Sequence, residues 1–127
     1  MRFLVFVRMT PESATPYEQG AMPADEDIAK MMAFNGKLVD SGSMLTGDGL
    51  YPTSQGAIVS FETGSAVITD GPFTEAKDVI GGYWTIKADS REAIVDLFKE
   101  CPMSDGDVLE IREIFEMSDF ETAIAER

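Results

Sequence analysis

Phe3-Leu4-Val5-Phe6-Val7 is apolar at every position, the pattern of a strand covered on both faces and therefore central in its sheet. Residues 9–23 break the pattern with Pro11, Pro16, Gly20 and Pro23, and read as a long loop. Asp25-Glu26-Asp27 then puts negative charge in the first turn of a helix, where the helix dipole favours it. Ile28, Met31, Met32, Asn35, Leu38 and Val39 follow on one helical face, and Gly42 ends the helix. Residues 46–56 read as a second turn-rich loop. Ala57 to Phe61 and Ser65 to Thr69 read as a hairpin turning at Glu62-Thr63-Gly64.

Beyond an irregular segment from Asp70 to Gly81, the aromatic-rich run Gly82 to Ala88 predicts another strand. Asp89-Ser90-Arg91-Glu92 resembles a capping box with Asp89 as the cap. Ala93, Ile94, Leu97, Phe98 and Cys101 form the apolar face of a second helix, which Pro102 stops. Val108 to Phe115 is the last strand, with a slip of alternation at Arg112-Glu113 that suggests a bulge. The acidic tail, about residues 117–127, is compatible with a short helix or with disorder. The order β-α-β-β-β-α-β, less one added hairpin strand, is the split β-α-β pattern of a ferredoxin-like α+β fold in one domain, 1–127. Such a sheet carries helices on one face only. The other face calls for a cover, and a second copy of the chain is the simplest one, so a homodimer is expected.

Charge and composition narrow the chemistry. The chain of 127 residues holds 23 acidic and 10 basic side chains, a net charge of −13, with no basic cluster. Nucleic acid and anionic membranes are therefore not expected partners. The absence of histidine rules out Ser-His-Asp and Cys-His catalysis and histidine-bound zinc or iron. One cysteine, Cys101, permits no intrachain disulfide, and its apolar context reads as packing. No metal spacing and no phosphate-binding glycine loop is present, so no cofactor is expected. The apolar start is too short for a signal peptide, and a cytoplasmic location is expected.

The distinctive stretch is Asp70-Gly71-Pro72-Phe73-Thr74-Glu75-Ala76-Lys77-Asp78, followed by Gly81-Gly82-Tyr83-Trp84. Together with Gly47-Asp48-Gly49-Leu50-Tyr51-Pro52, Cys101-Pro102 and Glu110-Ile111-Arg112, it resembles the DGPF family, a branch of the YCII-related proteins, along nearly the whole chain. The resemblance implies a dimeric α+β barrel of ferredoxin-like topology and a small bacterial cytoplasmic protein, with a gene neighbourhood that hints at sigma-factor or stress regulation. A His–Asp pair suggested for YCII-type relatives has no counterpart here, and Tyr51 stands where some relatives carry histidine.

Two readings of the motif stand side by side. Asp70-Gly71-Pro72-Phe73 is well suited to a turn, with Phe73 anchoring it in the core. Alternatively, Asp70 and Glu75 act as general acid and base near a cleft, with Lys77 holding or stabilising negative charge. Asp48, Phe73, Tyr83 and Trp84 are the candidate ligand-binding residues; Tyr83 and Trp84, adjacent on one strand, are expected on opposite faces. The functional options are an enzyme or binder for a small polar metabolite, a non-catalytic sensor or accessory module, and a structural dimerisation domain.

Overall fold

The computed structural model describes residues 1–73 and 77–127. Glu75 lies outside the described residues. Strand β1 (Arg2–Met9) is followed by α1 (Pro11–Glu18), α2 (Asp25–Asp40), β2 (Met44–Gly49), a 3-10 turn, β3 (Ala57–Glu62), β4 (Ser65–Asp70), β5 (Val79–Lys87), α3 (Arg91–Phe98), β6 (Val108–Glu113) and α4 (Met117–Ala125). The main sheet is antiparallel in the order β2-β5-β1-β6, and among the described residues β3 and β4 pair only with each other, as a separate two-stranded sheet. This is the ferredoxin-like α+β arrangement, with β1 central as its unbroken apolar run requires.

The topology is reached by a different route from the one the sequence suggests. No single added strand joins the core: both hairpin strands stand outside the main sheet. The missing fourth core strand is β2, most of which falls in the segment 46–56 expected to be a loop. Its Gly-Asp-Gly composition hides a strand, and the glycine is there for contact: a Cβ on Gly47 would lie 2.9 Å from the Trp84 ring on β5. The other expected loop contains α1: Pro11 stands in its first turn, where no intrahelical N–H is needed, while Pro16 lies inside the helix. Thr10 caps that helix by accepting from Ser13 N.

The core lies between the sheet and helices α2 and α3. Phe3 and Val5 of β1, Trp84 and Ile86 of β5, Phe34 and Leu38 of α2, and Ile94 and Phe98 of α3 are all buried. Phe34, Trp84 and Phe98 meet edge to face, with centroids 5.2–6.3 Å apart. The buried stripe of α2 is centred on Phe34 and Leu38, so Met32 and Val39, expected on it, are exposed instead. Helix α2 ends as expected, with Gly42 at φ +74° and Ser43 N returning to Leu38 O. The cap of α3 is Ser90 rather than Asp89, its hydroxyl accepting from Ala93 N. Strand β6 runs against β1 without a bulge at Arg112-Glu113; the irregularities are between Val7 and Arg8 on the β5 side and between Met44 and Thr46. The tail is helical, and its Glu116 binds Arg2 at 2.7 Å.

Candidate functional site

Alternation along the strands sorts the main sheet into two faces. Val5 lies opposite Trp84 and Ile111, toward the helices. Phe6 lies opposite Tyr83 and Glu110, and Leu4 opposite Thr85 and Arg112, on the helix-free face. Tyr83 and Trp84 therefore stand on opposite faces, as expected for neighbours in a strand. The Trp84 indole donates to Asn35 Oδ1 at 2.9 Å within the core, which also places Asn35 as a satisfied, half-buried amide.

Two hydrogen-bonded polar clusters lie on the helix-free face. Tyr83 Oη donates to Asp48 Oδ2 at 2.8 Å, joining β5 to edge strand β2. That hydrogen bond, and the charge of Asp48 behind it, raise the Tyr83 pKa above the ordinary phenol value. Arg8, at the end of β1, donates to Asp78 at 2.9 Å and to Glu110 at 3.2 Å, and Glu110 also accepts from Arg112 at 3.4 Å. The hydrogen bond to Asp78 and its charge, with help from Glu110, hold the Arg8 guanidinium further into its charged range. Gly82, beside Tyr83, has no room for a side chain: a Cβ would approach Asp48 O at 3.0 Å, so this glycine serves close approach of the neighbouring strand.

The Asp70-Gly71-Pro72-Phe73 segment is tied to a second cluster. Glu18, at the end of α1, accepts from Thr53 N at 3.0 Å and from the Thr53 hydroxyl. The same Thr53 oxygen accepts from Phe73 N at 3.1 Å. Gly71 N donates to Gly56 O at 3.0 Å, and a Cβ on Gly71 would fall 1.6 Å from Thr53 O. Tyr17 completes the cluster by donating to Leu50 O at 2.6 Å and to Tyr51 O at 2.7 Å. Helix α1 thus clamps the Leu50–Thr53 loop onto the Gly71–Phe73 loop. Phe73 is half-buried and lines a cleft of about 340 Å³ with Pro11, Thr15, Glu18 and Val79.

The structure brings Asp48 and Tyr83 together and sets Phe73 apart from them in the clamp. Asp70 is exposed at the end of β4, its backbone opposite Ala57, and Lys77 is exposed beside Asp78. Asp78 has Arg8 as its partner. A second cleft, of about 530 Å³, lies between α2 and residues 102–107 and contains none of the candidate residues. Cys101 packs against the core, and burial pushes its thiol up to about 12. Sequence reasoning missed Arg8, Glu18, Thr53 and Glu110. Arg8 had a visible signal, a lone charge ending an apolar strand; Glu18 and Thr53 had none, because helix α1 itself was not legible.

Among the described residues, no helix is long and apolar enough to cross a membrane. No curated protein matches the chain. The YCII-related domain model matches residues 1–118, which is nearly all of the sequence, including every strand and the three helices before the tail. The chain therefore belongs to the YCII-related domain family.

Proposed function

We propose that this protein binds a small polar metabolite on the helix-free face of its sheet and performs proton transfer there, in a homodimer whose second copy covers that face. The observation that carries the reading is the Tyr83–Asp48 pair, 2.8 Å apart and beside the apolar floor of Phe6. A carboxylate in contact with a phenol is an acid–base couple: Asp48 accepts a proton from the ligand while Tyr83 donates one. Arg8 lies on the same face, two residues beyond Phe6 and about 7 Å along the strand. It already faces Asp78 and Glu110, so the local balance favours a ligand that offers hydrogen-bond donors over a strongly anionic one. Isomerisation, decarboxylation and hydrolysis are reactions such a couple can serve without histidine. Tyr83 and Asp48 fit this role ahead of Asp70, at the end of β4, and Lys77, beside Asp78, both of which are exposed.

The test is a panel of small polar metabolites followed by thermal shift and by ligand-observed NMR, on the wild type and on Asp48→Asn and Tyr83→Phe. Saturable binding that Asp48→Asn weakens at least tenfold supports the site. Binding that is indifferent to both substitutions places the ligand elsewhere and ends this reading. A non-catalytic sensing or accessory module is the second reading, supported by the pairing of Arg8 with two carboxylates, which is what a structural network looks like. Saturable binding with no turnover of the bound compound would select it.

A further inference from the structure

A hairpin of two six-residue strands is marginal in water unless something packs on it. Here, among the described residues, β3 and β4 pair only with each other, through register Ala57↔Asp70 to Glu62↔Ser65, and leave the main sheet between β2 and β5. The turn is tight, with Thr63 at φ +44° and Gly64 at φ +80°, so the hairpin is a defined arm about 20 Å long. One face of it carries Val59, Phe61, Ala66 and Ile68, all exposed: Phe61 is 84% accessible and Ile68 66%. That face is uncharged from Val59 to Ile68 and ends at its root in Asp70, opposite Ala57, and the whole hairpin contains no Lys or Arg.

The area of the whole chain says how much cover is wanted. A compact monomer of 13.9 kDa presents about 6,700 Å² to solvent. This chain presents 9138 Å², an excess of roughly 2,400 Å², at the upper end of what each subunit of an obligate dimer buries. An apolar arm of this size left bare would invite edge-to-edge aggregation. A lipid surface is a poor match for an arm without basic residues on a chain of net charge −13.

We infer that the β3–β4 hairpin is an intersubunit arm, which lays its Val59–Phe61–Ile68 face on a second copy of this chain and receives the second copy's arm in return. The inference rests on the homodimer proposed above and extends its interface beyond the end of the main sheet. It does not depend on the acid–base role of Tyr83 and Asp48.

Analytical ultracentrifugation of wild type and of the double variant Val59→Asp/Phe61→Asp, both across nanomolar to micromolar concentration, tests it. The expected result is a wild-type dimer and a variant whose dimer dissociates at least a hundredfold more readily, with the near-ultraviolet band of Trp84 intact. A dimer equally tight in the variant overturns the arm and leaves the homodimer standing. A wild-type monomer at micromolar concentration overturns both. Amide hydrogen exchange on the wild type decides the matter if the variant fails to fold. Protection of the 57–70 amides in the wild-type dimer comparable to that of β1 and β5 supports the arm, and exchange of those amides near the unprotected rate in that dimer overturns it.

Discussion

Replacing Gly71 by alanine tests whether the Asp-Gly-Pro-Phe turn is a structural device. The added Cβ would sit 1.6 Å from Thr53 O and 2.5 Å from Thr53 C, whereas ordinary contact begins at 3.4 Å. No rotamer relieves a Cβ, so the two loops have to part by well over an ångström. Two hydrogen bonds span that junction, Gly71 to Gly56 and Phe73 to the Thr53 hydroxyl, and a third, Thr53 N to the Glu18 carboxylate, holds the Thr53 side of it to α1. At about 0.5–1.5 kcal/mol each, and somewhat more for the charged one, their loss costs roughly 2–4 kcal/mol. Urea denaturation followed by Trp84 fluorescence reads the loss as a lower midpoint with an unchanged slope. Gly36→Ala is the control, because nothing lies within 4 Å of that site in α2 and alanine is the better helix former. It should stabilise by about 0.5–1 kcal/mol. A Gly71→Ala protein as stable as the wild type would refute the clamp, and with it the structural account of the motif.

Other consequences are open to simple measurements. Phe98→Ala removes the ring that meets both Phe34 and Trp84 and should destabilise by about 3–5 kcal/mol in the same urea assay; a loss below about 1 kcal/mol would mean that the three-ring cluster is not the core. Cys101, its thiol pushed up to about 12, should resist iodoacetamide at neutral pH in the native protein and react promptly in urea. Rapid native labelling would contradict its burial. The raised pKa values of Tyr83 and Tyr17, from the Asp48 hydrogen bond and from burial respectively, make the fold prefer the neutral phenols. The unfolded chain then ionises first, so their stabilisation is present below pH about 10 and is lost as pH rises beyond it. Absorbance titration at alkaline pH should show one tyrosine ionising earlier in Asp48→Asn than in wild type; identical curves would remove the Tyr83–Asp48 contact.

What was legible in the sequence followed from burial that is strong and regular. The all-apolar Phe3–Val7 run identified the central strand, and the Ile94-Leu97-Phe98 spacing identified α3, because one side of each element faces the core. What stayed hidden is held by contacts that periodicity does not encode. Helix α1 has one buried residue, Ala14, and is secured by the Tyr17 and Glu18 hydrogen bonds to a distant loop. Strand β2 is an edge strand with no buried residue, defined by its pairing to β5. Of the candidate site, the opposite facing of Tyr83 and Trp84 could be read from their adjacency. The partnership of Tyr83 with Asp48 could not, since it depends on the register of a strand that looked like a loop.

The clamp and the candidate site meet at the same place in the chain. The hairpin is an insertion between β2 and β5, so Asp48 stands just before its root and Asp78 just after it. Whatever fixes the root fixes both carboxylates against their partners Tyr83 and Arg8. Glu18, Thr53, Gly71 and Phe73 are the residues that close it. The turn reading and the site reading of the motif are then not rivals. Under the proposed function the motif acts on the site at one remove, as a positioning device, and its residues need not touch a ligand to matter for binding. The two roles separate experimentally: a positioning defect in Thr53→Ala should weaken ligand binding and hydrogen-exchange protection of the 50–56 loop together, while Asp48→Asn should weaken binding alone.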